Sequence, residues 1–214
     1  MNVTITPTTL HGPVTPPPSK SQAHRLIIAA ALAGGESVLH NVARSQDILA
    51  TIRCMEALGA TFTWAGSTLT VQGLTMNRPV SPLPRLDCGE SGSTLRFLIP
   101  IALAVAGGGV FTGQGRLMER PQKPYFDLFD AKGISYSLEN GVLTVQGQLP
   151  AGDYPLPGNV SSQFVTGLLY ALPLVEGTST ITLTSPLESE DYVAMTRQAL
   201  TQAGITLDGY TIPG

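Results

Sequence analysis

Charged residues are scarce in this chain of 214 residues, since Asp, Glu, Lys and Arg make up 13% of it and the formal net charge is −3. So few cations cannot form the basic surface that nucleic-acid binding requires, and we expect no nucleic-acid partner. Hydrophobic residues make up 43% of the chain, which is enough for a sizeable core. The composition therefore predicts a globular protein rather than a disordered one.

Cysteine and long apolar runs are also scarce. The two cysteines, Cys54 and Cys88, have no CxxC partner, and the three histidines are scattered. We expect no metal site and no structural disulfide. The run FLIPIALAVA is too short to cross a bilayer, and the first residues do not resemble a signal peptide. These absences favour a cytoplasmic protein without contact to a membrane.

What the chain does have is a hydroxyl-rich, basic opening to an apolar helix, PSKSQAHR at 18–25. Serine caps a helix, and the unpaired amides of the first turn, with the helix dipole, favour an anion there. Lys20 adds a mobile cation, and Arg25 can grip a phosphate or carboxylate with two parallel hydrogen bonds. Taken alone, the stretch is more simply a capped helix with two solvated cations.

The pattern returns twice, at GESGSTLR (89–96) and at VSSQ (160–163), each time before an apolar run. The string LTVQG at 69–73 also returns at 143–147. A period of about 70 residues is typical of stacked supersecondary units. Each unit is predicted to contain a helix, a strand, a second helix and a closing strand pair. The first helix of each unit is apolar nearly all round, so it is expected to be buried.

We expect the three units to form one substrate-binding domain over 18–214, with Pro-rich connectors at 74–85 and 148–159. The units lie at approximately 18–73, 86–147 and 155–214. Residues 1–17 are predicted to hold a short strand at 2–6 and a Pro-rich connector. Three Ser-rich helix starts that point to one place would make a single strong anion site. This convergence is a hypothesis from the repeat.

Single motifs are weak signals for chemistry. The loop at 89–94 is neither a P-loop nor a dinucleotide fingerprint, because it lacks the lysine of the first and the third glycine of the second. RLMERP at 116–121 is by itself a solvated loop with an internal ion pair. Ser161 and Ser189 are explained equally well as helix caps. The combination of these motifs is more informative than any one of them.

PSKSQAHR, GESGSTLR, RLMERP and SSQF (161–164), in this order and spacing, closely resemble the 5-enolpyruvylshikimate-3-phosphate synthase family, also called 3-phosphoshikimate 1-carboxyvinyltransferase. The sister family, UDP-N-acetylglucosamine enolpyruvyl transferase, shares the architecture. That family carries an asparagine after the lysine of the first motif and a cysteine in the loop corresponding to 116–121. Ser21 and RLMERP stand here instead, so the resemblance favours the shikimate enzyme.

The resemblance implies an α/β fold in which three βαβαββ repeats form an inside-out α/β barrel, with helices inside and sheets outside. It covers only the family's N-terminal domain. The family's second domain supplies an acidic base candidate and further Lys, Arg and His groups, and it packs with the opening strand. The stop at Gly214, at a domain seam, predicts a chain cut from a longer one.

The family transfers the enolpyruvyl group of phosphoenolpyruvate to the 5-hydroxyl of shikimate 3-phosphate, releases phosphate and needs no metal or organic cofactor. The resemblance makes Lys20 the catalytic residue, between both substrates. It implies that shikimate 3-phosphate contacts Lys20, Ser21, Arg25, Ser161, Ser162, Gln163, Ser189 and Tyr192. It implies that phosphoenolpyruvate contacts Lys20, Gly92, Arg120 and Gln163. Glu90 stands where some family members have asparagine.

Without the second domain, we expect the chain to fold, to bind shikimate 3-phosphate weakly or not measurably, and to show no turnover alone. The sequence also leaves three alternatives open. The first is a non-catalytic anion-binding module, the second is a domain that self-associates to imitate the missing half, and the third is a relative of the UDP-N-acetylglucosamine enzyme.

Overall fold

The computed structural model describes residues 2–4, 6–7, 9, 11–75 and 81–214, and every structural statement below refers to these residues. The helices are α1 (Lys20–Leu32), α2 (Gln46–Ala57), α3 (Gly92–Ala106), α4 (Lys123–Lys132), α5 (Ser162–Ala171) and α6 (Glu190–Gln202). The strands are β1 (Glu36–Leu39), β2 (Thr61–Ala65), β3 (Thr68–Gln72), β4 (Arg85–Asp87), β5 (Gly108–Thr112), β6 (Ser135–Glu139), β7 (Val142–Gln146), β8 (Asp153–Leu156), β9 (Ser179–Leu183) and β10 (Thr211–Ile212). The mixed α/β class predicted from the sequence is confirmed.

The strands form three sheets, each from one continuous part of the chain. Their strand orders are β1-β3-β2, β4-β5-β7-β6 and β10-β9-β8. The pairs β4–β5 and β8–β9 are parallel, and the other pairs are antiparallel. β1 pairs with β3, just as β5 pairs with β7, but no described strand lies on the other side of β1.

The two LTVQG copies form the same structure. Thr61 pairs with Gln72 in the first hairpin, and Ser135 pairs with Gln146 in the second, so the register is the same. Alternate residues of both copies are fully buried, namely Leu69, Val71, Leu143 and Val145. Because strand side chains alternate between faces, the repeated string directs the same two side chains into the core each time.

Some predicted strands and connectors were wrong. Residues 2–4 and 6 of the predicted opening strand are not in a strand, because no described strand offers them hydrogen bonds. The predicted final hairpin is reduced to β10 and a single bridge between Asp208 and Thr211. The connector predicted at 148–159 contains β8. Pro155 suggested a connector there, but β8 is an edge strand, where proline is tolerated.

Five of the helices pack against one another as well as against the sheets, with α3 against α5, α6 against α5 and α1, and α2 against α1 and α3. Nearly every residue of α3 and α5 is buried, which confirms the prediction for the first helices of the second and third units. α1 is different, since its buried set includes His24 and Arg25 near its start. Among the described residues, no helix has the length and apolar character needed to span a bilayer.

Candidate functional site

A cleft of about 510 Å³ lies where the first turns of α1, α3, α5 and α6 meet. All eight residues assigned by resemblance to shikimate 3-phosphate line it, namely Lys20, Ser21, Arg25, Ser161, Ser162, Gln163, Ser189 and Tyr192. Four further residues complete the lining, namely Ser93, Phe97, Val160 and Glu188. The hypothesis that the Ser-rich helix starts converge agrees with this geometry.

Serine hydroxyls cap three of the four helices that meet at the cleft. The hydroxyls of Ser19, Ser91 and Ser161 accept hydrogen bonds from amides in the first turns of α1, α3 and α5. Each cap satisfies only part of a helix start, because four amides of the first turn lack partners within the helix. The remaining amides and the positive ends of the helix dipoles make this side of the molecule suitable for an anion.

Arg25 is the most firmly held cation of the cleft. Its Nε donates to the Tyr192 carbonyl at 3.1 Å and to Thr196 Oγ1 at 2.9 Å, and its Nη1 donates to the Ser21 carbonyl at 2.9 Å. The rings of Phe97 and Tyr192 flank the guanidinium, with centroids at 5.3 and 5.5 Å. Burial lowers the pKa of Arg25, but a guanidinium remains a cation at neutral pH. Its position is fixed before any ligand arrives.

Hydroxyls from two helix starts lie near Arg25 in the cleft. Ser161 caps α5, and Ser162 follows it as the first helical residue. Ser189 precedes α6 in a left-handed conformation, with φ 59° and ψ 48°, and its side chain makes no capping bond. A left-handed backbone is uncommon for residues other than glycine and recurs at functional sites. These hydroxyls supply neutral donors for a phosphate.

Gln163 connects α5 to α3 at the floor of the cleft. Its Oε1 accepts from Arg96 Nη1 at 2.8 Å, and its Nε2 donates to Ser93 Oγ at 2.9 Å. Arg96 also stacks on Phe164, 4.8 Å from the ring centroid, and burial lowers its pKa. Arg96 belongs to the GESGSTLR motif but was not predicted as a site residue. Nothing near it in the sequence indicates its contact with Gln163, which lies in another helix.

Lys20 forms an ion pair with Asp47, with 2.6 Å between Nζ and Oδ2. The pair is solvent-accessible, since the Lys20 side chain is 55% exposed. Asp47 lies in the first turn of α2 and was missed in the sequence, because the pairing joins residues from two helices. The carboxylate of Asp47 therefore offsets the charge of Lys20. Because the pair is accessible to solvent, the ammonium can still contact an incoming anion.

Gly92 and Arg120, predicted to contact phosphoenolpyruvate, do not line this cleft. They lie against each other, because a Cβ atom built on Gly92 would be 2.6 Å from Arg120 Nη1. Arg116 in the same loop pairs with Glu119 at 2.9 Å. Of the four residues predicted for phosphoenolpyruvate, Lys20 and Gln163 line the cleft, whereas Gly92 and Arg120 form a separate contact.

The described residues contain no group of three or more His, Cys, Asp or Glu side chains that could hold a metal ion. Cys54 and Cys88 are free and buried. The cleft is lined by the cations Lys20 and Arg25, by serine hydroxyls and by the carboxylate of Glu188. The fold and the cleft together define the chain as a mixed α/β protein with a binding cleft suited to a small anionic molecule.

The chain belongs to the EPSP synthase (3-phosphoshikimate 1-carboxyvinyltransferase) family, whose model matches residues 5–212. A relative of that name from Clostridium kluyveri is 46% identical and aligns with 97% of this chain and 49% of its own length. Another from Clostridium beijerinckii is 44% identical, over 96% of this chain and 49% of its own length.

The structure of EPSP synthase from Acinetobacter baumannii has a similar fold, with a TM-score of 0.76 and 26% identity. The match covers 94% of this chain and 46% of that one. The chain therefore spans about half the length of the curated relatives it matches.

Proposed function

We propose that the chain is the shikimate 3-phosphate-binding half of a two-domain enzyme that transfers the enolpyruvyl group of phosphoenolpyruvate to the 5-hydroxyl of shikimate 3-phosphate. The observation that carries the proposal is that eight residues from four helix starts line one cleft. Family membership and the names of the relatives support the reaction.

The two charged groups of shikimate 3-phosphate have separate places in this proposal. The phosphate meets the hydroxyls of Ser161, Ser162 and Ser189 and the positive end of α5. The carboxylate meets Ser21 and Arg25, where a charge-assisted hydrogen bond forms without reorganisation of the guanidinium. Tyr192 borders the ring of the substrate. The firm anchoring of Arg25 supports this assignment.

Lys20 lies between the two substrates and acts at the reacting hydroxyl. In the addition–elimination reaction a proton adds to the methylene of phosphoenolpyruvate, while the hydroxyl loses its proton and attacks the adjacent carbon. The methyl group so formed then gives up a proton as phosphate leaves, which restores the double bond of the enolpyruvyl group. The Lys20 ammonium offsets the negative charges that are brought together, which is an electrostatic contribution. Gln163 contacts both substrates, while Gly92 and Arg120 hold phosphoenolpyruvate. The contact of Arg120 with the bare backbone of Gly92 supports a shared role.

In this proposal a second domain supplies the acidic base candidate and the further Lys, Arg and His groups that the reaction needs. We infer that the three sheets surround the helices as an inside-out barrel and that the second domain packs against residues 1–17 and closes over the cleft. The unpaired side of β1 supports such a partner, because β5 and β9 each have a parallel neighbour there. The proposed enzyme acts in the biosynthesis of aromatic amino acids in the cytoplasm, and neither nucleic acid nor a membrane takes part.

Isothermal titration calorimetry with shikimate 3-phosphate, shikimate and inorganic phosphate tests the proposal. We expect saturable binding of shikimate 3-phosphate that is weaker for the two fragments, and no turnover when phosphoenolpyruvate is added. Equal affinity for all three would instead indicate an anion-binding module without this substrate. Product formed by the purified chain would contradict the need for a second domain.

A further inference from the structure

A chain of buried polar side chains lies beneath the cleft and connects α1, α2 and α3. His24 Nδ1 and Thr51 Oγ1 are 2.7 Å apart, and Thr51 Oγ1 and Thr94 Oγ1 are also 2.7 Å apart. Thr94 Oγ1 donates to Ser91 Oγ at 2.7 Å. All four residues are at most 1% exposed. We call these residues, His24, Thr51, Thr94 and Ser91, the hydroxyl chain.

His24 lies at one end of the hydroxyl chain. Its Nδ1 is paired with Thr51 Oγ1, and its Nε2 is buried and has no hydrogen-bond partner among the described residues. With both nitrogens protonated, the imidazolium would hold a charged, buried N–H donor without a partner. The network accordingly needs a neutral imidazole.

The two central threonines of the hydroxyl chain fix the main chain of Asp47. The Asp47 carbonyl accepts from Thr51 Oγ1 at 3.2 Å, within α2, and from Thr94 Oγ1 at 3.5 Å, across from α3. The carboxylate of the same residue pairs with Lys20. The position of the Lys20 partner is thus set by one contact within α2 and one contact to α3.

Ser91, at the end of the hydroxyl chain opposite His24, fixes the start of α3. Ser91 is the N-cap of that helix, and its Oγ accepts from the Thr94 amide at 3.2 Å. Gly92 follows directly and lies against Arg120. Apolar side chains of similar shape would fill this space without any need to satisfy hydroxyls, so the buried network is not needed for packing alone.

We propose that the hydroxyl chain is a positioning device that holds the starts of α2 and α3 against α1, so that the Asp47–Lys20 pair and the neighbouring Gly92 turn, beside the cleft, keep their relative positions. Thr51, at its centre, is a positioning residue. This role rests on the proposed function for its substrate, which is phosphoenolpyruvate. Shikimate 3-phosphate, bound mainly through Arg25 and the α5 start, should be affected little.

The test compares Thr51→Val, which keeps the shape and removes the hydroxyl, with Thr51→Ser, which keeps the hydroxyl. Ser179→Ala is the matched control, because it removes a buried hydroxyl that bonds the Gly152 amide and does not line the cleft. Shikimate 3-phosphate is titrated first, and phosphoenolpyruvate is then titrated into the saturated chain. We expect Thr51→Val to weaken phosphoenolpyruvate by about tenfold and shikimate 3-phosphate by less than about twofold.

Thr51→Ser should restore the affinity for phosphoenolpyruvate, and Ser179→Ala should leave it unchanged. Equal weakening of both ligands by Thr51→Val, or no weakening, would overturn the positioning role, because general destabilisation would not separate them.

If the wild-type chain binds neither substrate, the proposed function fails. The positioning role can then still be tested by a measurement that needs no ligand. Nitrogen-15 NMR should show a single His24 tautomer, held by the hydrogen bond between Nδ1 and Thr51, and a Lys20 ammonium signal whose exchange is slowed by the ion pair. Thr51→Val should lose both signatures, and Thr51→Ser should keep them. An unchanged Lys20 signal in Thr51→Val would refute the coupling.

Discussion

The two ends of the site differ in how firmly their cations are held. At the Arg25 end, which comprises Arg25, Ser161, Ser162, Ser189 and Tyr192, the arginine is 3% exposed and makes three hydrogen bonds. At the Gly92 end, which comprises Lys20, Gly92 and Arg120, both cations are exposed. The Arg120 side chain makes no hydrogen bond to any described residue.

This difference shows how one half of a two-substrate site can be built in advance and the other left adjustable. A buried, bonded guanidinium loses little entropy when it binds an anion, whereas exposed cations must be ordered first. The Arg25 end is therefore the part of the site that should function in this chain by itself. The Gly92 end is expected to gain order only with ligand or with a second domain.

Replacement of Arg25 should have the largest effect. We expect Arg25→Leu to weaken shikimate 3-phosphate by about 100-fold, or about 3 kcal/mol, because a charge-assisted contact is lost and three acceptors lose their donor. Calorimetry measures the affinity, with Arg197→Leu as a control, since Arg197 stacks on Tyr210 and does not line the cleft. If Arg25→Lys, which keeps the charge, binds normally, the anchored guanidinium is not the main determinant.

Acid should destabilise the fold through His24. Burial lowers the pKa of His24 to about 4, against opposing attraction from Asp47 and with smaller lowering by Lys20 and Arg25. The unfolded chain therefore binds a proton at higher pH than the folded chain. The contribution of neutral His24 to the free energy of unfolding is complete above about pH 6.5 and is lost as the pH falls to about 4. It amounts to about 3 kcal/mol.

Urea unfolding between pH 7 and pH 4 measures this loss, and His24→Gln serves as the comparison. The difference in the free energy of unfolding between wild type and His24→Gln should change with pH over this window. A constant difference would mean that His24 titrates alike in both states, and the hydroxyl chain next to the Gly92 end would then not depend on a neutral imidazole.

Loss of one hydroxyl at the Arg25 end should have a moderate effect. Ser162→Ala is expected to weaken shikimate 3-phosphate about tenfold, or about 1.4 kcal/mol, because one donor to the phosphate is removed. Shikimate without phosphate should bind both proteins alike. The titrations are repeated with Ser179→Ala, whose hydroxyl is buried elsewhere. A similar loss for shikimate would assign Ser162 to another part of the ligand.

The smallest effect is expected from Gly92→Ala. The added Cβ would lie 2.6 Å from Arg120 Nη1, so this flexible cation must move. We expect phosphoenolpyruvate to bind the shikimate 3-phosphate-saturated chain about three- to fivefold more weakly, with little change in shikimate 3-phosphate itself. Gly34→Ala is the control, since its Cβ would meet no atom within 4 Å. Equal loss of both ligands would show that the two ends are not independent.

The repeated motifs made much of this structure predictable. The two copies of LTVQG predicted two equivalent hairpins, and the Ser-rich openings predicted helix starts that share one cleft. Such features depend on local capping and on side-chain periodicity, which are readable from neighbouring residues. The burial of α3 and α5 followed from their sequences, which are apolar on nearly every side of the helix.

The features that were missed depend on contacts between distant segments. Asp47 gave no local sign of its pairing with Lys20, and Thr51 read as an ordinary helical residue although it joins His24 to Thr94. The strand β8 was missed because Pro155 is acceptable only at a sheet edge, and the sheet order is not visible in the sequence. Arg25 was recognised as a cation, but its near-complete burial was not.

The most direct measurement is a titration of the chain with shikimate 3-phosphate, followed by amide NMR shifts. The account predicts saturable shifts at Ser21, Arg25, Ser161, Ser162 and Ser189, with smaller ones at Gly92 and Arg120. Absence of shifts at millimolar ligand, or shifts confined to the Gly92 end, would contradict the claim that this chain carries a preformed site for the substrate.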